Sequence, residues 1–316
     1  MIDIFNLADN NQKTQIFYPL SSGSTQWQTW QKPNNAKMVY FFVLGSGGGG
    51  GGGRTGSINT GTGGGGGGSA AISIGLFPAC MLPDILYISV GKGGQGGVAN
   101  TAGGSGEISF VCVSASTGTA SVLMQSGAVA AGGGGAGGSS VQGTAGVAST
   151  LWAYTSNIWP QLGQITPIVG QAGGTGGPTT NFGASVTQTT IVTGGAGGGG
   201  ESSSTTSYSG GSINSTMYNF TRLDGGVANT TGDTIVGKCG YFYNFPSTNS
   251  ANKSTTLPMF FTGGAGGGAA NTTGRNGGAG GDGNYGSGGG GGGASYGGTG
   301  GIGGDGGGGL ILISCW

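Results

Sequence analysis

The chain has 316 residues, of which 84 are glycine, and its nine basic and nine acidic residues give a formal net charge of zero. Disorder driven by charge repulsion is excluded, because that state combines low hydrophobicity with a high net charge. Sites that depend on histidine are excluded too, since the chain contains none. Apolar residues make up 34% of the chain, including twelve Phe and five Trp. This composition favours an ordered protein with an unusual backbone.

The same composition argues against several further function classes. Nine basic residues spread along the chain cannot form the patch that neutralises nucleic-acid phosphates. No apolar run approaches the roughly 20 residues that a membrane-spanning helix needs. The four cysteines show no metal-ligand spacing, and we expect them to be small buried hydrophobic side chains: Cys80, Cys112, Cys239 and Cys315. We predict a protein that is not an enzyme and that holds no cofactor and no metal.

The first 24 residues differ from the rest of the chain, because they contain a single glycine, Gly23. They carry two apolar clusters, a larger apolar supply than a solvated tail needs. We predict that residues 1–24 form either an attachment segment, which pairs with a partner protein, or an edge strand of the body. The candidate attachment residues are Ile4, Phe5, Phe17 and Tyr18.

Short segments of β-branched and aromatic residues separate the glycine runs, and this pattern predicts strands. The clearest is MVYFFVL at Met38–Leu44. The others are Ala71–Ile74, Ile85–Val90, Ile108–Val113, Ala120–Met124, Ile165–Val169, Thr189–Val192, Tyr241–Phe245, Met259–Phe261 and Leu310–Ser314. Helical periodicity is missing, and each glycine costs a helix about 1 kcal/mol relative to alanine. The sequence therefore predicts an all-β fold with essentially no helix.

The glycine runs predict a second kind of order. Left-handed extended helices with three residues per turn have no internal hydrogen bonds, so their backbone groups can pair with neighbouring helices. Residues 263–309 consist mostly of glycine, with the other residues mostly as singles or pairs. We predict a polyglycine-II-type bundle there, joined to a small, jelly-roll-like β-sandwich. Within the body of residues 25–316, we expect a strand-rich part at 25–125, variable loops at 139–262 and a terminal strand at 310–316.

Two aromatic clusters are candidates for contact with a receptor, because Trp and Tyr combine a large rigid surface with a polar group. The candidate residues are Trp152, Tyr154, Trp159, Tyr241 and Tyr243. The alternative is that these side chains fill the sandwich core. Asp282 and Asp305 lie within glycine tracts, and we expect solvated positions at the bundle edge rather than a calcium site, which needs several close oxygen ligands.

The succession of these elements resembles the glycine-rich domains of bacteriophage tail fibres. The residues that carry the resemblance are Trp27 to Pro33, the strand Met38–Leu44 with the glycine run after it, LYISVGKGG at 86–94, AVAAGGGGAGG at 128–138, and GGDG at 303–306 leading into Leu310–Ser314. The resemblance spans roughly residues 25 to 315. It implies a fibre, adhesin or tail-tip subunit at the virion surface, in which variable loops on a glycine-rich scaffold bind the host surface.

The resemblance also implies partners. These are other virion proteins, a glycan or protein of the host cell surface, and further copies of the chain, with a trimer favoured. No nucleic acid and no membrane insertion are expected. Two alternatives stay open. One is a capsid decoration or head-fibre protein. The other is an ice-binding or cell-wall-type glycine-rich protein, in which a flat polyglycine face with regularly repeated residues is itself functional.

Overall fold

The structure of the chain is a computed structural model. It describes residues 13–20, 27–56, 61–127, 132, 134–138, 143–144, 146–147, 164–203, 206–215, 222–228, 242–243 and 260–316. Over these ranges the fold is all-β, as predicted, and the helical content is one three-residue 3-10 turn at Ala79–Met81. A helix long and apolar enough to cross a membrane does not occur in the described ranges.

The strands of the described chain belong to two larger sheets and four two-stranded pairs. Their bounds are β1 Lys13–Phe17, β2 Gln28–Gln31, β3 Met38–Leu44, β4 Thr55–Gly56, β5 Ile72–Pro78, β6 Ile85–Ser89, β7 Phe110–Cys112, β8 Val122–Gln125, β9 Gln164–Ile168, β10 Val186–Gln188, β11 Glu201–Ser203, β12 Thr206–Ser207, β13 Ile213–Ser215, β14 Phe242–Tyr243, β15 Phe260–Phe261, β16 Ser295–Tyr296 and β17 Leu310–Cys315. A five-stranded antiparallel sheet has the order β1-β17-β3-β5-β9, and a four-stranded antiparallel sheet has the order β2-β6-β7-β8.

The two larger sheets pack face to face and form a sandwich. Their core joins alternate residues of β3 and β17 to residues of β2, β6, β7 and β8. At its centre Phe41 contacts Trp30 and Phe77 edge to face, with ring centroids 6.4 and 5.7 Å apart. Cys112 and Cys315 are buried, as expected, whereas Cys80 is exposed because the 3-10 turn carries it to the surface. Cys239 lies outside the described residues.

Strand β1 lies at one edge of the five-stranded sheet, where it pairs antiparallel with β17. Phe17 is buried in the sandwich core, so its side chain faces inward rather than toward a partner. Tyr18 is 46% exposed and lies beside the ring of Tyr285, 5.7 Å between centroids. Ile4 and Phe5 lie outside the described residues. Of the predicted attachment residues that are described, Tyr18 alone reaches the surface.

The glycine tracts form a bundle of polyglycine-II-type helices, with residues 46–54 at its centre. Every third N–H of this central tract points to the same neighbour, as three residues per turn requires. The hydrogen bonds of residues 46–54 repeat every three residues along the tract. Gly47, Gly50 and Gly53 donate to Gly307, Gly304 and Gly301; Gly48, Gly51 and Arg54 to Gly68, Gly65 and Thr62; and Gly49 and Gly52 to Gly104 and Thr101. Its carbonyls accept from Gly94, Gly97 and Asn100, from Gly132, Gly135 and Gly138, and from Gly289, Gly292 and Ser295. The central tract is therefore bonded to six neighbours.

The bundle extends well beyond the predicted residues 263–309. Four further tracts donate to and accept from several neighbours in the same way: residues 62–69, 194–201, 264–270 and 288–294. Residues 62–69 and 194–201 lie outside the predicted range. They join the bundle because each bonds to glycine tracts that are distant in sequence. The bundle therefore draws on almost the whole length of the described chain.

The register of the sandwich continues into the bundle without a break. Strand β3 pairs Leu44 with Leu310 of β17, and three residues later Gly47 donates to Gly307 at 2.8 Å. The same holds where β3 pairs with β5, since the Leu44–Ile72 pair is followed by a bond from Gly48 to Gly68. The glycine helices next to β3, β5 and β17 are thus extensions of these strands, and the sheet aligns them.

The helices approach so closely that a side chain has no room. A Cβ placed on Gly290 would lie 2.1 Å from the carbonyl oxygen of Ala265, on a neighbouring tract. A real Cβ does not approach an oxygen so closely, so one of the two helices would have to move. That movement would break several backbone hydrogen bonds together.

We expect Gly290→Ala to destabilise the protein by roughly 3 kcal/mol or more, since it combines overpacking with the loss of buried hydrogen bonds. The matched control is Gly118→Ala in the loop between β7 and β8. There the nearest atom to the new Cβ is the exposed Ser116 Oγ at 3.3 Å. Chemical denaturation of both variants checks this, and equal midpoints would show that the tract does not need glycine.

Candidate functional site at the tip of the bundle

The chain path collects a set of turns at one end of the bundle, opposite the sandwich. Each tract that runs away from the sandwich begins close to it. After about three turns of the glycine helix, the chain reaches a reverse turn. We call this end the tip. Its described turns are Thr55–Gly56, Val98–Thr101, Pro178–Phe182, Glu201–Ser203 with Thr206–Tyr208, Asn271–Arg275 and Tyr296–Thr299. Segments separated by as many as 245 residues of sequence thereby share one surface.

Hydrogen bonds between the turns hold the tip together. The N–H of Thr55 donates to Asn100 Oδ1 at 3.0 Å, and the N–H of Gly300 donates to Thr55 Oγ1 at 2.9 Å. Asn100 adopts a left-handed backbone conformation, with φ 64°, which asparagine tolerates in a tight turn. The N–H of Thr299 donates to Asn276 Oδ1 at 3.0 Å. The turns are fixed to one another as well as to their own tracts.

An aromatic pair lies on one side of the tip. The ring of Phe182 meets that of Tyr208 edge to face, with centroids 5.4 Å apart and an interplanar angle of 77°. Phe182 is 59% exposed, and Tyr208 is half-buried. An exposed phenylalanine at a turn contributes little to the core, so most of its ring is accessible from solvent.

The charge around the tip is low. Of the residues in 164–203 and 206–215, Glu201 is the one that carries an ionisable charge. The described tip turns elsewhere contain Arg275, which is exposed, and the central tract ends at Arg54. Hydroxyl and amide side chains supply most of the remaining polar groups. The tip therefore offers aromatic and neutral polar contacts, with positive charge confined to one part.

Glu201 lies beneath this surface rather than on it. Its side chain is fully buried, it lies over Gly61, and neither carboxyl oxygen has a hydrogen-bond partner. Burial raises the pKa of the Glu201 carboxyl to about 7, because a buried charge without partners is unfavourable. Asn271, also buried at the tip end of its tract, has both side-chain polar atoms unpartnered. Glu201 is thus a neutral structural group over much of the acidic range.

Of the five receptor residues predicted from the sequence, the structure describes Tyr243, which does not lie at the tip. Trp152, Tyr154, Trp159 and Tyr241 lie outside the described residues. Tyr243 belongs to β14, where its backbone pairs with Phe260, immediately before a tract that leaves the sandwich end. The prediction rested on clusters of aromatics, whereas Phe182 and Tyr208 stand alone in sequence. The signal that could have found Phe182 is its place in PTTNF, a turn motif between two glycine tracts.

The two aspartates of the glycine tracts serve the backbone. Asp282 Oδ1 accepts the N–H of Asp305 at 2.8 Å, and Asp305 Oδ1 accepts the N–H of Gly96 at 2.7 Å. Both side chains are exposed at the bundle edge. In the part of the chain that the structure describes, no three His, Cys, Asp or Glu side chains come together in a group that could hold a metal ion.

We expect the stability of the protein to fall as pH rises from about 4.5 to about 7, because the folded state holds the Glu201 proton more tightly than the unfolded state. The rise of the Glu201 pKa from 4.5 to about 7 corresponds to roughly 3 kcal/mol of the free energy of unfolding. Glu201→Gln should remove most of this dependence of the free energy of unfolding on pH. Glu107→Gln, which alters an exposed carboxyl, should keep it. Denaturant midpoints at pH 5 and pH 8 measure the effect. An unchanged slope in Glu201→Gln would show that another group causes it.

Comparison with known proteins gives one family match. Residues 21–130 match a family model described as a glycine-rich domain. This range holds β2 to β8, together with the glycine tracts between them. A search of the curated proteins finds no match to the chain. The chain is thus similar to a glycine-rich domain over about its first third, which includes the four-stranded sheet and the central tract.

Proposed function

We propose that the chain is a structural, non-enzymatic protein of the bacteriophage surface, a tail-fibre, adhesin or tail-tip subunit that binds the host surface through its tip. The observation that carries the proposal is the convergence of the turns at one end of a rigid bundle. Exposed turn residues such as Thr180 can vary without disturbing the tracts, because the tracts are held by backbone hydrogen bonds. Loops positioned by a rigid scaffold are the usual location of binding residues.

The opposite end of the molecule suits attachment to the particle. Three exposed apolar residues lie on β1 or just after it: Ile16, Tyr18 and Leu20. They lie at the edge of the five-stranded sheet, where a partner can add a strand or cover a small apolar patch. We assign this edge to contact with other virion proteins. In this arrangement the sandwich joins the particle and the tip faces outward.

The same proposal includes a homotrimer, which follows from the tail-fibre resemblance and from the small apolar share of the chain. Contact between copies would bury apolar surface that one chain leaves in water. Light scattering of the purified protein should give three times the chain mass. A mass of one chain at micromolar concentration would contradict the trimer.

A position on the capsid, as a decoration or head-fibre protein, is the alternative that fits the same architecture. The ice-binding alternative fits less well. Outward positions on the tract 299–305 hold Thr299, Ile302 and Asp305, and those on the adjacent tract hold Asn276 and Asp282. These exposed third positions do not repeat one residue type, so the flat face lacks the regularity that such a function needs.

The attachment role is tested with particles that carry matched threonine substitutions. Thr180→Lys and Thr273→Lys place a bulky charge on two exposed tip turns, whereas Thr117→Lys places it on the exposed loop at the far end of the sandwich. We expect each tip variant to adsorb to host cells about tenfold more slowly, which corresponds to an activation free energy of adsorption about 1.4 kcal/mol higher. The control should adsorb at the rate of the unmodified particle.

Two outcomes would contradict the proposal. Immunogold labelling of particles from a lysate should place the chain on the virion, and particles without label would exclude a virion protein. Equal adsorption rates for the tip variants and the Thr117→Lys control would exclude the tip as the binding surface, even if the chain is on the particle.

A further inference from the structure

We propose that the Phe182–Tyr208 side of the tip binds an uncharged sugar ring of a cell-surface glycan. The inference rests on the proposed function and names the chemical class of its ligand. It depends on three observations about this side of the tip: the aromatic geometry, the fixed turn and the absence of exposed charge from the described residues of 164–200 and 206–215.

The aromatic geometry leaves one ring face open. Because Tyr208 meets Phe182 edge to face, it supports the phenylalanine without covering both of its faces. With 59% of its surface exposed, Phe182 can cover the apolar C–H face of a pyranose. Its ring quadrupole is negative over the face, which favours the polarised C–H groups of a sugar. Burial of this area supplies the affinity.

The ring is held in place by its turn. The N–H of Asn181 donates to Pro178 O at 3.2 Å, and the N–H of Phe182 donates to Asn181 Oδ1 at 2.9 Å. Gly183 and Tyr208 are then bonded into the bundle through Ser209 O and Gly200 O, at 3.1 and 3.0 Å. A ring on such a turn loses little conformational freedom when a ligand binds, which lowers the cost of binding.

The surroundings select an uncharged ligand. The described residues of the neighbouring segments, 164–200 and 206–215, carry no charged side chain, and the nearby Glu201 is buried. Exposed hydroxyl and amide groups lie beside the ring on Thr180 and Asn181. Such groups can donate to and accept from sugar hydroxyls. Within these described segments an acidic sugar would find no cation to compensate for its lost hydration.

The test is an array of immobilised neutral, sialylated and sulfated oligosaccharides, probed with the full chain and three variants. Phe182→Ala should reduce retention on the neutral oligosaccharides by about tenfold or more, whereas Phe182→Trp, which keeps a ring, should retain it. Ile302→Ala removes an equally exposed apolar side chain, 55% exposed, elsewhere on the bundle and should have no effect. Because Phe182 is exposed, its truncation should leave the melting temperature nearly unchanged, which thermal unfolding verifies.

Each result decides the inference. The inference is supported if the chain retains at least one neutral oligosaccharide, if this retention requires an aromatic ring at position 182, and if added salt does not reduce it. A chain that retains no neutral oligosaccharide, or that retains acidic ones alone, overturns it. So does a Phe182→Ala variant that binds like the unmodified chain. If tip variants still slow adsorption in any of those cases, the attachment role stands and only the sugar assignment fails.

Discussion

The rest of the structure depends on one requirement: the backbone groups of an extended glycine helix point outward and must find partners on other helices. A single tract cannot meet this requirement, and a pair of tracts meets it only in part. The central tract, residues 46–54, meets it with six neighbours. Interior tracts must then be almost free of side chains, because the bonding distance brings neighbouring backbones into contact. The extreme composition follows from the hydrogen-bonding geometry.

This geometry leaves the alignment of the tracts undetermined, since glycine helices look alike along their length. The sandwich supplies the alignment. Leu44 pairs with Leu310 and with Ile72 in the five-stranded sheet, and the tracts that continue these strands keep the same pairing. Strand register is fixed by which side chains face the core. The apolar core therefore sets the register of a bundle that has few apolar side chains of its own.

The sandwich strands could be predicted from their side chains, whereas the arrangement of the glycine tracts could not. Met38–Leu44 was predicted residue for residue, because seven consecutive apolar and aromatic residues have no other place than a buried strand. Strands such as β10, which was expected at 189–192 and lies at Val186–Gln188, have weak side-chain signals and take their positions from the bundle. The neighbours of a given tract could not be predicted at all, since glycine carries no side chain by which to choose. Phe182 was missed for a related reason: its partner Tyr208 becomes a neighbour only through the bundle.

The contrast between tract and turn explains how one scaffold can support a variable binding surface. In a tract, even one added carbon atom meets a backbone oxygen, as at Gly290. In the turn Pro178–Phe182, the side chains of Thr180 and Phe182 extend into solvent and carry none of the bonds between tracts. Substitutions at exposed tip positions such as these two can therefore change the surface at little cost to the fold, whereas substitutions in the interior of the tracts cannot. In the proposed role at the virion surface, this separation would let the tip change with its receptor, because most substitutions elsewhere in a protein also affect stability.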